Sequence, residues 1–197
     1  GYEVAILDDG LQDNSLSYDL SFVCFNNLNW IGNGLTIPAG PLRESIDNLK
    51  KYDHIFLNGN LENIENLKKI IYQINPKINI YVGIYKLLNL DEFSKYDRYL
   101  VFSGIGNHQT FISTIKKYGL TIIKDIEFPD HFKYAKSDIH KILNEANHLN
   151  CKIITTEKDY LRLEKEEKNQ IKYLKSELQT SNEGKLIETI LEINETS

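Results

Sequence analysis

Short apolar runs alternate with amphipathic stretches along most of this chain, and the two periods they follow predict its elements. Val4-Ala5-Ile6-Leu7, Leu20 to Phe25 and His54-Ile55-Phe56-Leu57 are continuous apolar segments of strand length, the pattern of strands buried on both faces of a parallel sheet. Asn60 reads as the cap of a helix that carries Leu61, Ile64, Leu67, Ile70, Ile71 and Ile74 on one face and stops at Asn75-Pro76. From Ile78 to Ile84 the period changes to two, with Ile78, Ile80, Val82 and Ile84 on one side and Asn79, Tyr81, Gly83 and Tyr85 on the other. That alternation predicts a strand exposed on one side, as in a ribbon between two subdomains.

A second strand-and-helix series follows. Tyr99 to Phe102 predicts a strand, and Asn107 is placed to cap a helix through Tyr118 with Phe111, Ile112 and Ile115 inward, ended by Gly119. Leu120 to Phe128 is a further strand, Ser137 caps a helix bearing Ile139, Ile142, Leu143, Ala146 and Leu149, and Lys152 to Thr155 is a strand again. The mixed charges from Glu157 to Lys172 predict a solvated helical surface, Tyr173 to Leu178 a returning ribbon strand, and Leu186, Ile187, Ile190 and Leu191 a closing amphipathic helix packed on the first domain. The fold class is α/β. Its divisions are 1–88, a first α/β portion; 89–172, a second small α/β domain; and 173–197, the returning ribbon and closing helix.

Composition narrows the function classes. A formal net charge of -5 and a pI near 5.6 argue against broad nucleic-acid binding. Cys24 and Cys151 both fall in or beside apolar runs and read as small buried hydrophobes in a reducing, cytosolic compartment. No apolar run approaches the roughly 18 residues that span a bilayer, so membrane contact is expected to be peripheral. The chain opens on Gly1 beside a core-like run and holds no methionine, which reads as a chain beginning inside a domain.

Several stretches carry chemistry. Asp8-Asp9-Gly10 ends the first apolar run, and two adjacent carboxylates at a strand's carboxyl end suit a magnesium-nucleotide, although Asp-Gly also makes an ordinary turn. Pro38-Ala39-Gly40-Pro41 fixes the backbone ahead of Arg43 and Glu44; Arg43 can clamp a phosphate and Glu44 can add a carboxylate, or the two can form a surface ion pair. Phe128-Pro129-Asp130-His131 places a histidine beside an aspartate, able to act as a base or hold one, whereas His54, His108, His140 and His148 read as structural. Ser103-Gly104-Ile105-Gly106-Asn107, between a strand and a helix, has the shape of an anion cradle but lacks a lysine. Thr155-Thr156-Glu157-Lys158-Asp159 equally reads as a helix cap.

In order, ILDDGLQ, GNGLTIPAGPLRES, FSGIGNHQTF, FPDHFKY and TTEKDYLRL resemble the tetraacyldisaccharide 4'-kinase (lipid A 4'-kinase) family over most of the chain. The resemblance implies part of a phosphate-loop NTPase parallel sheet plus a second small α/β domain joined by a β-ribbon. It implies transfer of the ATP γ-phosphate to the 4'-hydroxyl of a tetraacylated glucosamine disaccharide 1-phosphate, giving lipid IVA, by a peripheral enzyme at the cytoplasmic face of the bacterial inner membrane. By the same resemblance Asp8, Asp9 and Glu44 hold magnesium. Gln12, Gly104 and Asn107 lie with the nucleotide, and Arg43 faces the phosphates. His131 reaches across an interdomain cleft to support the catalytic base. Asp13 and His108 stand where the family often has a basic or amide residue and a proline.

The family's phosphate loop, catalytic aspartate and membrane-facing helix belong to an amino-terminal half that this sequence does not contain. The chain alone is therefore expected to be inactive, with that half as its partner. Two competing readings are a non-catalytic α/β binding module, from a split or decayed gene, and a nucleotide-sugar enzyme using Asp8-Asp9.

Overall fold

The computed structural model describes residues 4–13, 15–59 and 63–196, which form two compact units: 1–84 with 180–197, and 85–179. Asn60 and Leu61, expected at the head of the first helix, lie outside the described residues. Strands β3 and β8 each run through the division between the units.

In the first unit β1 (Phe22–Asn26), β2 (His54–Gly59) and β3 (Asn79–Leu87) pair in parallel, and β8 (Ser176–Thr180) completes a sheet of order β1-β2-β3-β8. Helix α1 (Ile64–Ile74) connects β2 to β3 and buries Ile64, Leu67 and Ile71 against Ile55, Leu57, Ile78 and Val82. The i, i+3, i+7 spacing of those three residues puts them on one face, which is why this segment is helical here. Tyr81, Val82 and Gly83 are buried in succession, so the middle of β3 is covered on both sides rather than one. The sheet supplies β2 as a neighbour and the Tyr81 ring meets Phe22 and His54, which the period-two pattern did not disclose. After β8 comes α5 (Glu183–Thr196), tied to β3 by the pair Tyr81 Oη and Thr189 Oγ1 at 2.8 Å and by Lys185 Nζ donating to Asn79 Oδ1.

Two expectations fail in this unit. Val4, Ile6 and Leu7 are 61%, 93% and 54% exposed and form no strand, because the described residues bring neither a ladder partner nor a covering helix to them. Cys24 is exposed, its side chain leaving β1 on the uncovered face. In α5, tied to β3, the side chains of Ile187, Ile190 and Leu191 are 48%, 43% and 55% exposed.

The second unit is a parallel sheet of order β5-β4-β6-β7, built from β4 (Arg98–Ser103), β5 (Thr121–Glu127), β6 (Lys152–Thr156) and β7 (Ile171–Leu174). Tyr99 and Val101 face a core with Phe111, Ile112 and Ile115 of α2 (His108–Lys117), while Leu100 and Phe102 face the opposite core with Ile139, Ile142 and Ala146 of α3 (Lys136–His148). A strand buried on both faces is apolar through its middle, and β4 is so from Tyr99 to Phe102. Gly119, at φ +78°, supplies the left-handed residue that ends α2.

Ser137 is not the cap of α3; Ala135 occupies that position, and the Asp138 carboxylate accepts its N–H at 3.1 Å. The 157–172 segment is helical only over α4 (Glu157–Leu161) and a short 3-10 turn, with Asp159 and Leu163 buried, so balanced charge did not mean a wholly solvated face. The predicted ribbon strand at 173–178 divides into the ends of β7 and β8. No helix among the described residues is long and apolar enough to cross a membrane.

His108 is 1% exposed and joins α2 to the sheet. Its Nε2–H donates to the Asp125 carboxylate at 3.2 Å, and Nδ1 accepts the hydroxyl of the fully buried Ser103 at 2.7 Å. With Ser103 sealed from solvent this serine-histidine-aspartate chain is a tether, not a nucleophile. His108→Ala is expected to strand the Ser103 hydroxyl and lower stability by about 1–3 kcal/mol, read by urea unfolding followed in the far-UV circular dichroism.

Candidate functional site

The five motifs gather into two clusters, one in each unit. In the first unit Arg43 ties the loop after the Pro38–Pro41 corner to the Asp8-Asp9 loop. Its Nη2 donates to Asp9 Oδ2 at 2.7 Å and its Nη1 to Gln12 Oε1 at 3.2 Å, so one guanidinium holds the two loops in register. The loop that delivers Arg43 is self-supporting: Asn33 Nδ2 donates to Ala39 O, the Ile37 N–H donates to Leu42 O, and the Leu42 N–H donates to Leu35 O across the Thr36–Leu42 bridge. Gly40 has no alternative here, because a Cβ would collide with the Leu35 carbonyl and the Asn33 side chain. On the other side Tyr18 Oη donates to Gly10 O at 2.6 Å and pins the turn after the two aspartates.

Asp9, Arg43 and Gln12 are thus together, as an exposed ion pair with an amide beside it. Such a pair contributes at most about 1 kcal/mol to stability, so its arrangement is not explained by folding. Glu44 is not gathered with the aspartates: its carboxylate accepts from Asn48 Nδ2 at 2.8 Å. Among the described residues no three His, Cys, Asp or Glu side chains converge on a point that could hold a metal.

The second cluster lies where the strand order of the second unit reverses, between β4 and β6. The crevice at such a switch point, outside the carboxyl ends of the strands, is where open parallel sheets bind ligands. Here Ser103-Gly104 leaves β4, Thr155-Thr156 leaves β6, and the 129–134 loop closes over them. Gly104 is buried so tightly that a Cβ would stand 3.0 Å from Tyr134 Oη and 3.3 Å from the Pro129 carbonyl. Three motifs that are far apart in the sequence therefore meet.

At their meeting point sits Asp159, fully buried. Its Oδ2 accepts the Gly104 N–H at 3.0 Å and the Thr156 hydroxyl at 2.7 Å, and Arg162 Nη1 lies 3.4 Å from Oδ1. The Gly104 N–H expected to cradle a nucleotide phosphate is therefore taken by an anion of the chain's own, and Asn107 stands at the amino end of α2. Arg162 continues outward, its Nη2 3.3 Å from His131 Nδ1. His131 has φ +59°, an uncommon conformation for a residue with a side chain, held by its N–H, which donates to Asp130 Oδ1 and the Gly104 carbonyl. The ring is 72% exposed.

Asp130 also faces Lys158 Nζ at 3.5 Å. Desolvation opposes its charge, but the His131 N–H and the charges of His131 and Lys158 outweigh it and hold the carboxyl below the usual range. His131 stands out in the sequence as a histidine beside an aspartate, whereas Asp159, Arg162, Lys158 and Tyr134 are brought beside it only by the fold. The available signal was local: Thr156 before Glu157-Lys158-Asp159 is a helix cap whose Oγ1 accepts the Asp159 N–H at 3.1 Å, and Asp159 and Arg162 are three apart on the same turn.

A crystal structure of the "apo" form of LpxK from Aquifex aeolicus in complex with ATP shares the fold, with a TM-score of 0.57 over 94% of this chain and 56% of that one, at 22% identity. The likeness shows a shared α/β fold. The family model for LpxK, tetraacyldisaccharide-1-P 4'-kinase, matches residues 1–195, and the chain belongs to that family. Among its relatives, the tetraacyldisaccharide 4'-kinase of Pelagibacter ubique is 57% identical over 195 residues, and that of Rickettsia canadensis 35% identical over 190. The alignments take in 99% and 95% of this chain but only 62% and 56% of those relatives' lengths, so the chain spans less than two thirds of them.

Burial and the Asp159 carboxylate push the Tyr134 phenol up, and its buried hydroxyl lies beside that carboxylate without a hydrogen bond of good geometry. A phenol that stays protonated in the fold after it ionises in the unfolded chain costs stability as pH rises past about 10. Tyr134→Phe is therefore expected to leave stability at pH 7 unchanged or slightly higher and to flatten its alkaline decline, measured by urea unfolding at both pH values.

Proposed function

We propose that this chain supplies part of the active site of a tetraacyldisaccharide 4'-kinase, which moves the γ-phosphate of ATP to the 4'-hydroxyl of a tetraacylated disaccharide 1-phosphate. The single observation that carries the reading is the family match across residues 1–195. Two features support it: the Asp9–Arg43–Gln12 cluster spends an exposed ion pair on joining two loops, and His131 sits at the mouth of a switch-point crevice.

Asp8 and Asp9 offer adjacent hard oxygen donors. Magnesium on a nucleotide takes one or two carboxylates and completes its shell with phosphate and water, so this pair suits it without Glu44. Bound there, the ion would offset phosphate charge. Arg43, already oriented by Asp9 and Gln12, is placed to neutralise phosphate oxygens with a planar fork. His131 serves the acceptor hydroxyl by supporting the group that takes its proton. The acceptor's acyl chains imply work at a membrane surface, on the cytoplasmic face of the inner membrane where ATP is present, by peripheral contact.

In the full-length protein, with ATP and the disaccharide acceptor, Asp9→Asn is expected to lower kcat and to move the magnesium dependence to higher concentration. His131→Ala is expected to lower kcat on the order of 10²-fold. Wild-type kinetics in both would remove these residues from the site.

A further inference from the structure

Arginine carries only donors, so the approach of Arg162 Nη2 to His131 Nδ1 at 3.3 Å makes Nδ1 an acceptor. A neutral imidazole has one N–H, which must then be on Nε2. The arrangement is held from beneath rather than left to the mobility of a surface arginine. Arg162 reaches His131 with one nitrogen and Asp159 Oδ1 with the other, at 3.4 Å. Asp159 is fully buried and fixed by the Gly104 N–H and the Thr156 hydroxyl, at the ends of two adjacent strands. His131 is fixed at the backbone through bonds to Asp130 Oδ1 and the Gly104 carbonyl. Gly104 therefore touches both arms of the network, its N–H the aspartate and its carbonyl the histidine.

The outer edge of the ring has no such partner. Asp130 Oδ2 stands 3.7 Å from Nε2, beyond hydrogen-bond range. We propose that Arg162, anchored on the buried carboxylate of Asp159, is a positioning residue that holds His131 in the tautomer with its proton on Nε2. The exposed edge of the ring is thereby a hydrogen-bond donor and not a base. This rests on the reading of His131 as a residue of the phosphoryl-transfer site. It assigns His131 the task of donating to an oxygen, on a carboxylate base or on phosphate, while the proton of the acceptor hydroxyl leaves to a different group. Arg→Lys is not conservative at such a position, since one ammonium lacks the fork that spans aspartate and imidazole together.

The test is long-range proton-nitrogen correlation on the full-length protein labelled with ¹⁵N-histidine, at a pH of about 8 where a histidine of ordinary pKa is neutral. The expected wild-type result is a single His131 tautomer, Nδ1 unprotonated and Nε2 protonated. Arg162→Ala should shift both nitrogens toward the averaged values of exchanging tautomers, and Arg162→Lys should fail to restore them. His108, bonded at both ring nitrogens, is the internal control: unchanged His108 signals show that the fold is intact. Asp159→Asn, if it folds by that criterion, should loosen His131 in the same way. An averaged or Nδ1-protonated His131 in the wild type, or a His131 signature unmoved by Arg162→Ala, overturns the proposal. In kinetics, Arg162→Ala should lower kcat with little change in KM, and adding it to His131→Ala should cost nothing more. If His131→Ala itself leaves turnover intact, the reading of His131 fails while the tautomer result stands. If Arg162→Ala frees the tautomer yet keeps wild-type kcat, the positioning role is overturned and the reading of His131 survives.

Discussion

A carboxylate taken wholly out of water must be met by donors, and in the second unit everything around the switch point follows from meeting Asp159. The donors available are a backbone N–H at the end of β4, a hydroxyl at the end of β6 and the guanidinium of the residue that caps the carboxyl end of α4. Removing any one would leave a buried charge short of a partner, a cost of several kcal/mol at such sites. The carboxylate thus sets the spacing of two strand ends, the closeness of the 129–134 loop over Gly104, and the direction in which Arg162 points. An orphaned tyrosine hydroxyl beside it shows that apolar packing of the aromatic cluster Phe102, Phe128, Phe132 and Tyr134 won over hydrogen bonding at that one atom.

The first unit is organised on weaker forces. Its loops meet through an exposed arginine, so they are held by geometry of the chain, including the Gly40 corner, more than by the ion pair itself. An exposed pair of this kind keeps its charges hydrated and exchangeable. The second unit does the opposite and buries its charge as a permanent fixture.

Much of the architecture was legible in the order of apolar runs. β4 is apolar from Tyr99 to Phe102 and β6 at Ile153 and Ile154, and helices α1, α2 and α3 repeat their buried residues at helical spacing, so local pattern and final packing agree. The opening run was misjudged for the same reason it was noticed: Val4 to Leu7 has the composition of a buried strand, but composition does not supply a neighbouring strand. Cys24 was misjudged because one residue in two on a strand faces away from whatever covers it. Of the candidate site, the pairing of Arg43 with Asp9 is a contact across 34 positions that no local rule reaches. Asp159 was hidden in a charged stretch whose average looked solvated; only the capping threonine three residues before it hinted that the turn was anchored. Glu44 was grouped with the aspartates by adjacency to Arg43, yet Asn48, four residues on, took its carboxylate.

The chain's single tryptophan, Trp30, packs on Phe25 at 4.7 Å between ring centroids, among the residues around the core of the first unit. Intrinsic tryptophan emission therefore reports one of two separately cored bodies and is blind to the other. Where such bodies lose structure at different denaturant concentrations, a curve from that emission and one from backbone ellipticity would not superimpose, and no single midpoint would describe the molecule.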